Sequence, residues 1–160
     1  MAHPLYPPGS GVAPPEVLKS LSGLEFMQRM VAGALPPPPI AITLDFHVVA
    51  VERGVVTFEG RPGANVYNPL GLIHGGYAAT LLDSCMGCAV MTHVEAGMGY
   101  VTLELKVSYL RAMTHTTGAV RAIGRALHVG RRSGFAEGEI VDASGRRIAH
   151  GTTTCLVYPL

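Results

Sequence analysis

The chain is poor in charge: Asp, Glu, Lys and Arg make up 14% of its 160 residues and leave a formal net charge of +1. No global field draws it to nucleic acid or to an anionic membrane, so any anionic ligand must be held by a local patch. Cysteine is scarce, with three residues, which excludes a disulfide-built scaffold and points to a reducing, cytoplasmic setting. A run of roughly 20 uninterrupted apolar residues, the length that spans a bilayer, is missing. The best stretch, residues 70–91, is interrupted by His74, Asp83 and several glycines. The opening MAHPLYPPGSG lacks a cationic start followed by an apolar core, so no secretory signal is expected. Also absent are a G-x-S-x-G elbow, a Walker loop and a dinucleotide fingerprint, which removes the usual anchors of triad hydrolases and nucleotide-driven enzymes. Cys85 and Cys88 form a C-x-x-C, but deep in a helical run, where a thiolate gains nothing from the helix start. No second cysteine pair or paired-histidine motif completes a zinc site, so no metal is expected.

Against these absences stands a chain that is 48% hydrophobic, enough to bury the core of one domain. Residues 1–15 hold many of the prolines and glycines and read as an extended leader with little fold information. Over residues 16–31, Val17, Leu18, Leu21, Leu24, Met27, Met30 and Val31 recur at helical spacing behind Pro14 and Pro15, which predicts one amphipathic helix. Residues 36–39 are all proline and form a stiff connector. The division expected is therefore a leader, helix and connector over 1–39, followed by the main domain over 40–160. In that domain, strands are predicted over residues 41–51 and 55–61, joined by a hairpin at Glu52, Arg53 and Gly54. After a turn-rich stretch, GGYAATLLDSCMGCAVM is apolar on every face and reads as a buried helix. Four strands follow, over residues 101–109, 117–129, 133–141 and 147–158. In the first of them Val101, Leu103, Leu105, Val107 and Tyr109 alternate with Thr102, Glu104, Lys106 and Ser108, the period of a half-buried strand. Short connections imply antiparallel pairing. The result is an α+β fold, an antiparallel β-sheet wrapped around a long central α-helix, with an extra N-terminal helix.

Asp83 is the one formally charged side chain in residues 70–92. A carboxylate taken out of water without partners is costly or becomes protonated, so Asp83 either pairs with a backbone amide or an arginine at an interface or does chemistry. Gly75 and Gly76 mark the helix start, where free N–H groups and the positive end of the dipole favour developing negative charge. Glycine leaves that backbone open to an approaching carbonyl, although an ordinary tight turn uses the same residues. Asp83 lies about 12 Å along the axis from Gly75, too far to share one carbonyl. An antiparallel second copy is therefore expected to supply the other end, at a dimer interface.

The run NPLGLIHGGYAATLLDSCMG, with Asn68, His74, Gly75, Gly76 and Asp83 at these spacings, resembles the motif of the small hotdog-fold thioesterases of the phenylacetic-acid-degradation type. The stretches VTLELKVSYLRA and GRRSGFAEGEIVDASGRRIAHGTTTCLV are also similar to that family, so the resemblance spans roughly residues 40–160. It implies a hotdog fold and an acyl-CoA thioesterase that releases a free carboxylic acid and CoA from an aryl- or medium-chain acyl-CoA. It further implies that Asp83 activates water as a general base or attacks the thioester itself. By the same resemblance Gly75 donates its N–H to the oxyanion and His74 fixes the loop or bonds near the thioester. Asn68 orients the carbonyl or the water, and the Thr102 hydroxyl helps place water. Arg111, Arg131 and Arg132 stand at predicted strand ends, where they reach CoA phosphates or serve solubility. Gly76, Tyr77 and Leu82, with Leu81, either line the acyl group or belong to the core. No cofactor is expected beyond the CoA of the substrate, and no nucleic-acid or membrane partner. A homodimer is the minimum assembly, and a homotetramer is the family habit. Two other functions compete: a hotdog dehydratase or hydratase on acyl thioesters, whose pattern pairs a histidine with a helix glutamate where this chain has Asp83, and a non-catalytic acyl-CoA sensor, which has no need of Asp83.

Overall fold

The computed structural model describes residues 6–160; the first five residues of the leader lie outside it. One helix dominates, α4 (Gly75–Met91), with the bounds that the apolar run predicts. The six strands are β1 (Phe46–Glu52), β2 (Val55–Gly60), β3 (Met98–Tyr109), β4 (Val120–Val129), β5 (Ser133–Asp142) and β6 (Arg147–Pro159). They form a single antiparallel sheet in the order β1-β2-β4-β5-β6-β3. The helix packs against β2 to β6 and interrupts the strand sequence between β2 and β3, so the first hairpin and the last three strands close over it. This is the antiparallel sheet around a central helix that the hydrophobic pattern implies.

The helix comes close because the sheet beneath it is floored with glycine. Gly124 of β4, Gly138 of β5 and Gly151 of β6 stand opposite one another in register, a row across three strands. A Cβ on Gly124 would lie 2.2 Å from the Cys85 carbonyl oxygen, and one on Gly138 would lie 2.8 Å from Met86 Cγ. Over this floor Leu81, Leu82, Cys85, Met86, Ala89 and Val90 are fully buried against Val56, Val120, Ala122 and Ile140. At the far end the Thr92 hydroxyl accepts from the Gly54 N–H at 2.7 Å and donates to the Ala89 carbonyl. That pair of bonds ties the β1–β2 turn to the end of α4.

The N-terminal third departs from the sequence reading. In place of one helix over 16–31 there are two, α1 (Pro15–Ser20) and α2 (Gly23–Val31). Ser22 breaks the run because it caps α2: its side chain accepts from the Glu25 N–H while Glu25 accepts from the Ser22 N–H, a reciprocal box. The connector also turns helical at its end, in α3 (Pro39–Thr43), with proline at the first position where a missing N–H costs nothing. The first strand consequently begins at Phe46 and not at residue 41. Nor is the leader free of the fold: the Gly11 N–H donates to the Pro37 carbonyl at 3.0 Å, and Ala13 is buried.

Strand β3 departs in phase. Pairing with β6 shifts between Thr102 and Glu104, a bulge that reverses which residues face the helix. Before it Tyr100 and Thr102 point inward; after it Leu105 and Val107 do. The Thr153 hydroxyl donates to the Glu104 carbonyl, satisfying a group at the bulge. As a result Val101 and Leu103, which strict alternation would place on the buried face, are 46% and 63% exposed.

Candidate active site

Asp83 lies in the middle of α4, half-buried. Its Oδ1 accepts from the Thr102 hydroxyl at 2.7 Å, a contact that exists only because the bulge turns Thr102 inward. No cation pairs with Asp83 among the described residues, and its Oδ2 has no hydrogen-bond donor there. Among the described residues no arginine neutralises Asp83 within its own chain. Asp83 also forms part of the wall of an apolar cavity of about 300 Å³, the rest of which comes largely from α2, the leader and the proline connector. Burial pushes the neighbouring Cys88 thiol up to about 12 and likewise raises Tyr100 and Cys155. The Tyr100 hydroxyl lies 3.9 Å from Cys88 Sγ.

The second cluster stands at the start of α4. His74 is the N-cap, and its Nδ1 accepts from the Gly76 N–H at 2.8 Å. With Nδ1 as acceptor, the neutral ring of His74 carries its proton on Nε2. His74 thus serves as a helix cap through Nδ1, and its Nε2 has no hydrogen-bond partner among the described residues. The Gly75 N–H has no acceptor among the described residues. A Cβ at Gly75 would lie 3.1 Å from the ring of Tyr109, a tight contact that this exposed ring relieves by shifting a few tenths of an ångström, and the Tyr109 hydroxyl donates to the Gly75 carbonyl. Asn68 folds the preceding loop: its Oδ1 accepts from the N–H groups of Leu70 and Leu72 at 2.9 and 3.1 Å. The acceptor atom is spent on the turn, leaving the Asn68 amide N–H pair as the part that can meet a ligand.

The predicted residues thus fall into separate groups. Asn68, Gly75 and Arg111 line one cleft of about 290 Å³ together with Tyr109. His74, Gly76 and Tyr77 line another. Asp83 and Thr102 meet elsewhere, and none of the described cavities holds both Asp83 and Gly75. Arg111 is exposed and donates to the Arg147 carbonyl. Arg131 and Arg132 are exposed on the β4–β5 turn, near the C-terminal end of α4 and away from Arg111. Leu82 and Leu81 are corrections: both are completely buried, lie on no described cavity and are core. Tyr77 is buried as well, its hydroxyl without a partner. Sequence reasoning missed Tyr109 as the residue that covers Gly75, and missed the leader and α2 as walls of the cavity at Asp83. The first carried a signal, an aromatic ending the alternating strand; the second had none at the level of local pattern.

A model of the thioesterase superfamily matches residues 70–149, which include α4, Asp83, Thr102 and the strands up to β6. The chain belongs to the thioesterase superfamily. Its structure is similar to that of a phenylacetic acid degradation-related protein of Ralstonia eutropha JMP134, with a TM-score of 0.74 and 29% identity, covering 82% of this chain and 98% of that one. It is also similar to a mutant of the phenylacetic acid degradation protein PaaI of Thermus thermophilus, with a TM-score of 0.67 and 25% identity over 74% of this chain and 97% of that one. In sequence it is 34% identical to the proofreading thioesterase EntH of Klebsiella pneumoniae subsp. pneumoniae over 97 residues, 61% of this chain and 69% of that protein. This thioesterase therefore has the hotdog architecture that its motif implies, a long helix in a six-stranded antiparallel sheet, and thioester hydrolysis is its reaction class. No helix among the described residues is long and apolar enough to cross a membrane.

Proposed function

We propose that this thioesterase hydrolyses acyl-CoA in a site shared by two copies of the chain, with Asp83 of one copy acting on a thioester whose carbonyl is held at the start of α4 of the other. The observation that carries this reading is the placement of Asp83: a carboxylate without a cation, fixed by Thr102 and bordering an apolar cavity. Such a group, held at one oxygen and free at the other, is equipped to take a proton from water or to attack a carbonyl. The unpaired Gly75 N–H supplies the oxyanion donor, aided by the positive end of α4. Asn68 offers its amide N–H groups in the same cleft, Tyr109 lines it against Gly75, and exposed Arg111, also in its lining, is available for a CoA phosphate.

Separation within one chain supports the shared site, since eight residues of helix set Asp83 about 12 Å from Gly75. The edge of the sheet supports it too. Among the described residues strand β3 pairs with β6 alone, and it carries exposed Val101, Leu103 and Tyr109 beside its open edge, the kind of unprotected apolar edge that a second strand covers. A hydratase is disfavoured because His74 is engaged as a cap through Nδ1 and the helix acid is an aspartate.

The test is thiol release from a panel of aryl, short and medium acyl-CoAs. Wild type should turn over part of the panel, and Asp83→Asn should lose about 100-fold or more of that rate. Gly75→Pro removes the N–H at a helix position that accepts proline and should be similarly impaired. Co-expressing the two inactive variants should restore about a quarter of wild-type activity, because half of randomly paired dimers are mixed and each mixed dimer holds one intact site. Equal rates for wild type and Asp83→Asn would refute the assignment of Asp83. Absence of any restoration in dimers shown to be mixed would refute the shared site.

A further inference from the structure

The cavity beside Asp83 is closed by a part of the chain that lies outside the family match. Its outer wall is Val12 of the leader, Phe26 and Met30 of α2, and Pro36 of the connector, whereas the match covers only residues 70–149. This wall is fastened at two places. The Gly11 N–H bonds the Pro37 carbonyl at 3.0 Å, and the Gly23 N–H bonds the Val94 carbonyl at 2.8 Å. A Cβ on Gly23 would lie 1.8 Å from the Met91 carbonyl oxygen, so a side chain is excluded there, and one on Gly11 would lie 3.0 Å from Pro36 Cγ, a tight fit. Among the described residues the one charged group on the cavity wall is Asp83. Everything else there is apolar or weakly polar, and the Tyr100 hydroxyl is engaged with Cys88.

We infer that this cavity receives the acyl group of the substrate, and that residues 10–40 act as a strap whose inner face sets the largest acyl group the enzyme accepts. The inference rests on the reading of Asp83 as the reacting carboxylate, since it is the adjacency of Asp83 that orients an acyl group with its carbonyl outward and its tail under the strap. The lining selects an uncharged, apolar tail, because a polar tail would lose its water here without gaining partners. Size follows from volume. A cavity of about 150 Å³ holds benzene, so one of about 300 Å³ takes about twice as many atoms. The acyl class is therefore a medium aliphatic chain of about eight to ten carbons or an aryl group of two rings.

Met30 is the residue to vary, being partly buried on the strap and outside the catalytic machinery. The measurement is kcat/KM for straight-chain acyl-CoAs from two to sixteen carbons, together with benzoyl- and naphthoyl-CoA. Met30→Ala removes three heavy atoms and should move the optimum about two to three carbons longer. Met30→Trp should lower kcat/KM about tenfold or more for chains beyond six carbons and for the two-ring acyl group, with a smaller loss for acetyl- and butyryl-CoA, so that the optimum moves to shorter chains. Phe26→Ala, on the next turn of the same helix, should shift the optimum as Met30→Ala does and stands in if the tryptophan variant does not fold. A chain-length profile that keeps its shape in Met30→Ala and Phe26→Ala, with Asp83→Asn inactive, would overturn the strap inference alone. If Asp83→Asn stays active, the reading of the site falls first, and the strap inference falls with it.

Discussion

Thr102→Val is the sharpest test of how the carboxylate is held. The change keeps the shape of the side chain and deletes the hydroxyl that donates to Asp83 Oδ1 at 2.7 Å. A hydrogen bond to a charged group is worth about 1.5–3 kcal/mol. Because Asp83 and Thr102 are both half-buried and not sealed, the lower half of that range applies, about 1.5–2 kcal/mol. If the bond serves to hold Asp83 in its reacting orientation, the loss falls on the transition state. About 1.36 kcal/mol is a factor of ten in rate, so kcat should fall about 10- to 30-fold. KM should change by no more than about threefold, because Thr102 lies on no described cavity. Thr102→Ser, which retains the donor, should recover most of the loss. The assay is steady-state thiol release on the best acyl-CoA of the panel. A valine variant with wild-type kcat, beside an inactive Asp83→Asn, would show that Asp83 needs no orienting donor and would refute the positional role of the bulge. An equal loss in the serine variant would assign the effect to packing.

Two further outcomes follow from the packing of α4. Gly124→Ala places a Cβ 2.2 Å from the Cys85 carbonyl oxygen and 2.6 Å from the Met86 nitrogen; both are backbone atoms that no rotamer can move, so overpacking should cost at least about 2 kcal/mol and lower Tm by several degrees in a thermal melt. An unchanged Tm would mean that the helix does not sit on its glycine floor. The three thiols should be silent toward a soluble disulfide reagent in the native protein at pH 8, because Cys85 and Cys155 are buried and the surroundings of partly buried Cys88 push its thiol up to about 12. Thiolate then forms only as pH climbs toward that value, so reactivity should increase with pH and reach three thiols per chain only on unfolding; fast labelling of the folded protein at pH 8 would contradict this burial.

The parts of the fold legible in the sequence are those that local pattern specifies. The helix Gly75–Met91 is bounded by an N-cap histidine and a glycine pair ahead of a largely apolar run, and its limits match. The hairpins of β4 to β6 follow from turn residues at Gly130, Asp142 and Gly145. The break between α1 and α2 was also legible, since Ser22 followed three residues later by Glu25 is a capping signal, but the apolar spacing over 16–31 masked it. Two features were not legible. The bulge in β3 depends on Thr153 of another strand meeting the Glu104 carbonyl, and nothing within β3 announces it. The strap depends on the fit of Gly11 to Pro36 and of Gly23 to the backbone of Met91, contacts between segments far apart in sequence. Both bear on the site, because one turns Thr102 toward Asp83 and the other closes the cavity beside it.

The same strand serves both halves of the proposed site. Thr102, near the start of β3, touches Asp83, and Tyr109, at its end, covers Gly75. For Asp83 of one copy to meet Gly75 of another, the first copy's Thr102 must come near the second copy's Tyr109, and the reverse must hold at once in a closed two-fold dimer. Antiparallel pairing of β3 with its own copy meets both demands in one arrangement, with the axis between Leu105 and Lys106, midway between positions 102 and 109. That axis falls inside the open edge of the sheet and brings the exposed Val101, Leu103 and Tyr109 side chains of the two copies into the pairing zone. The residues that leave the site incomplete in one chain and those that leave its edge uncovered are therefore neighbours on a single strand, so one association would answer both.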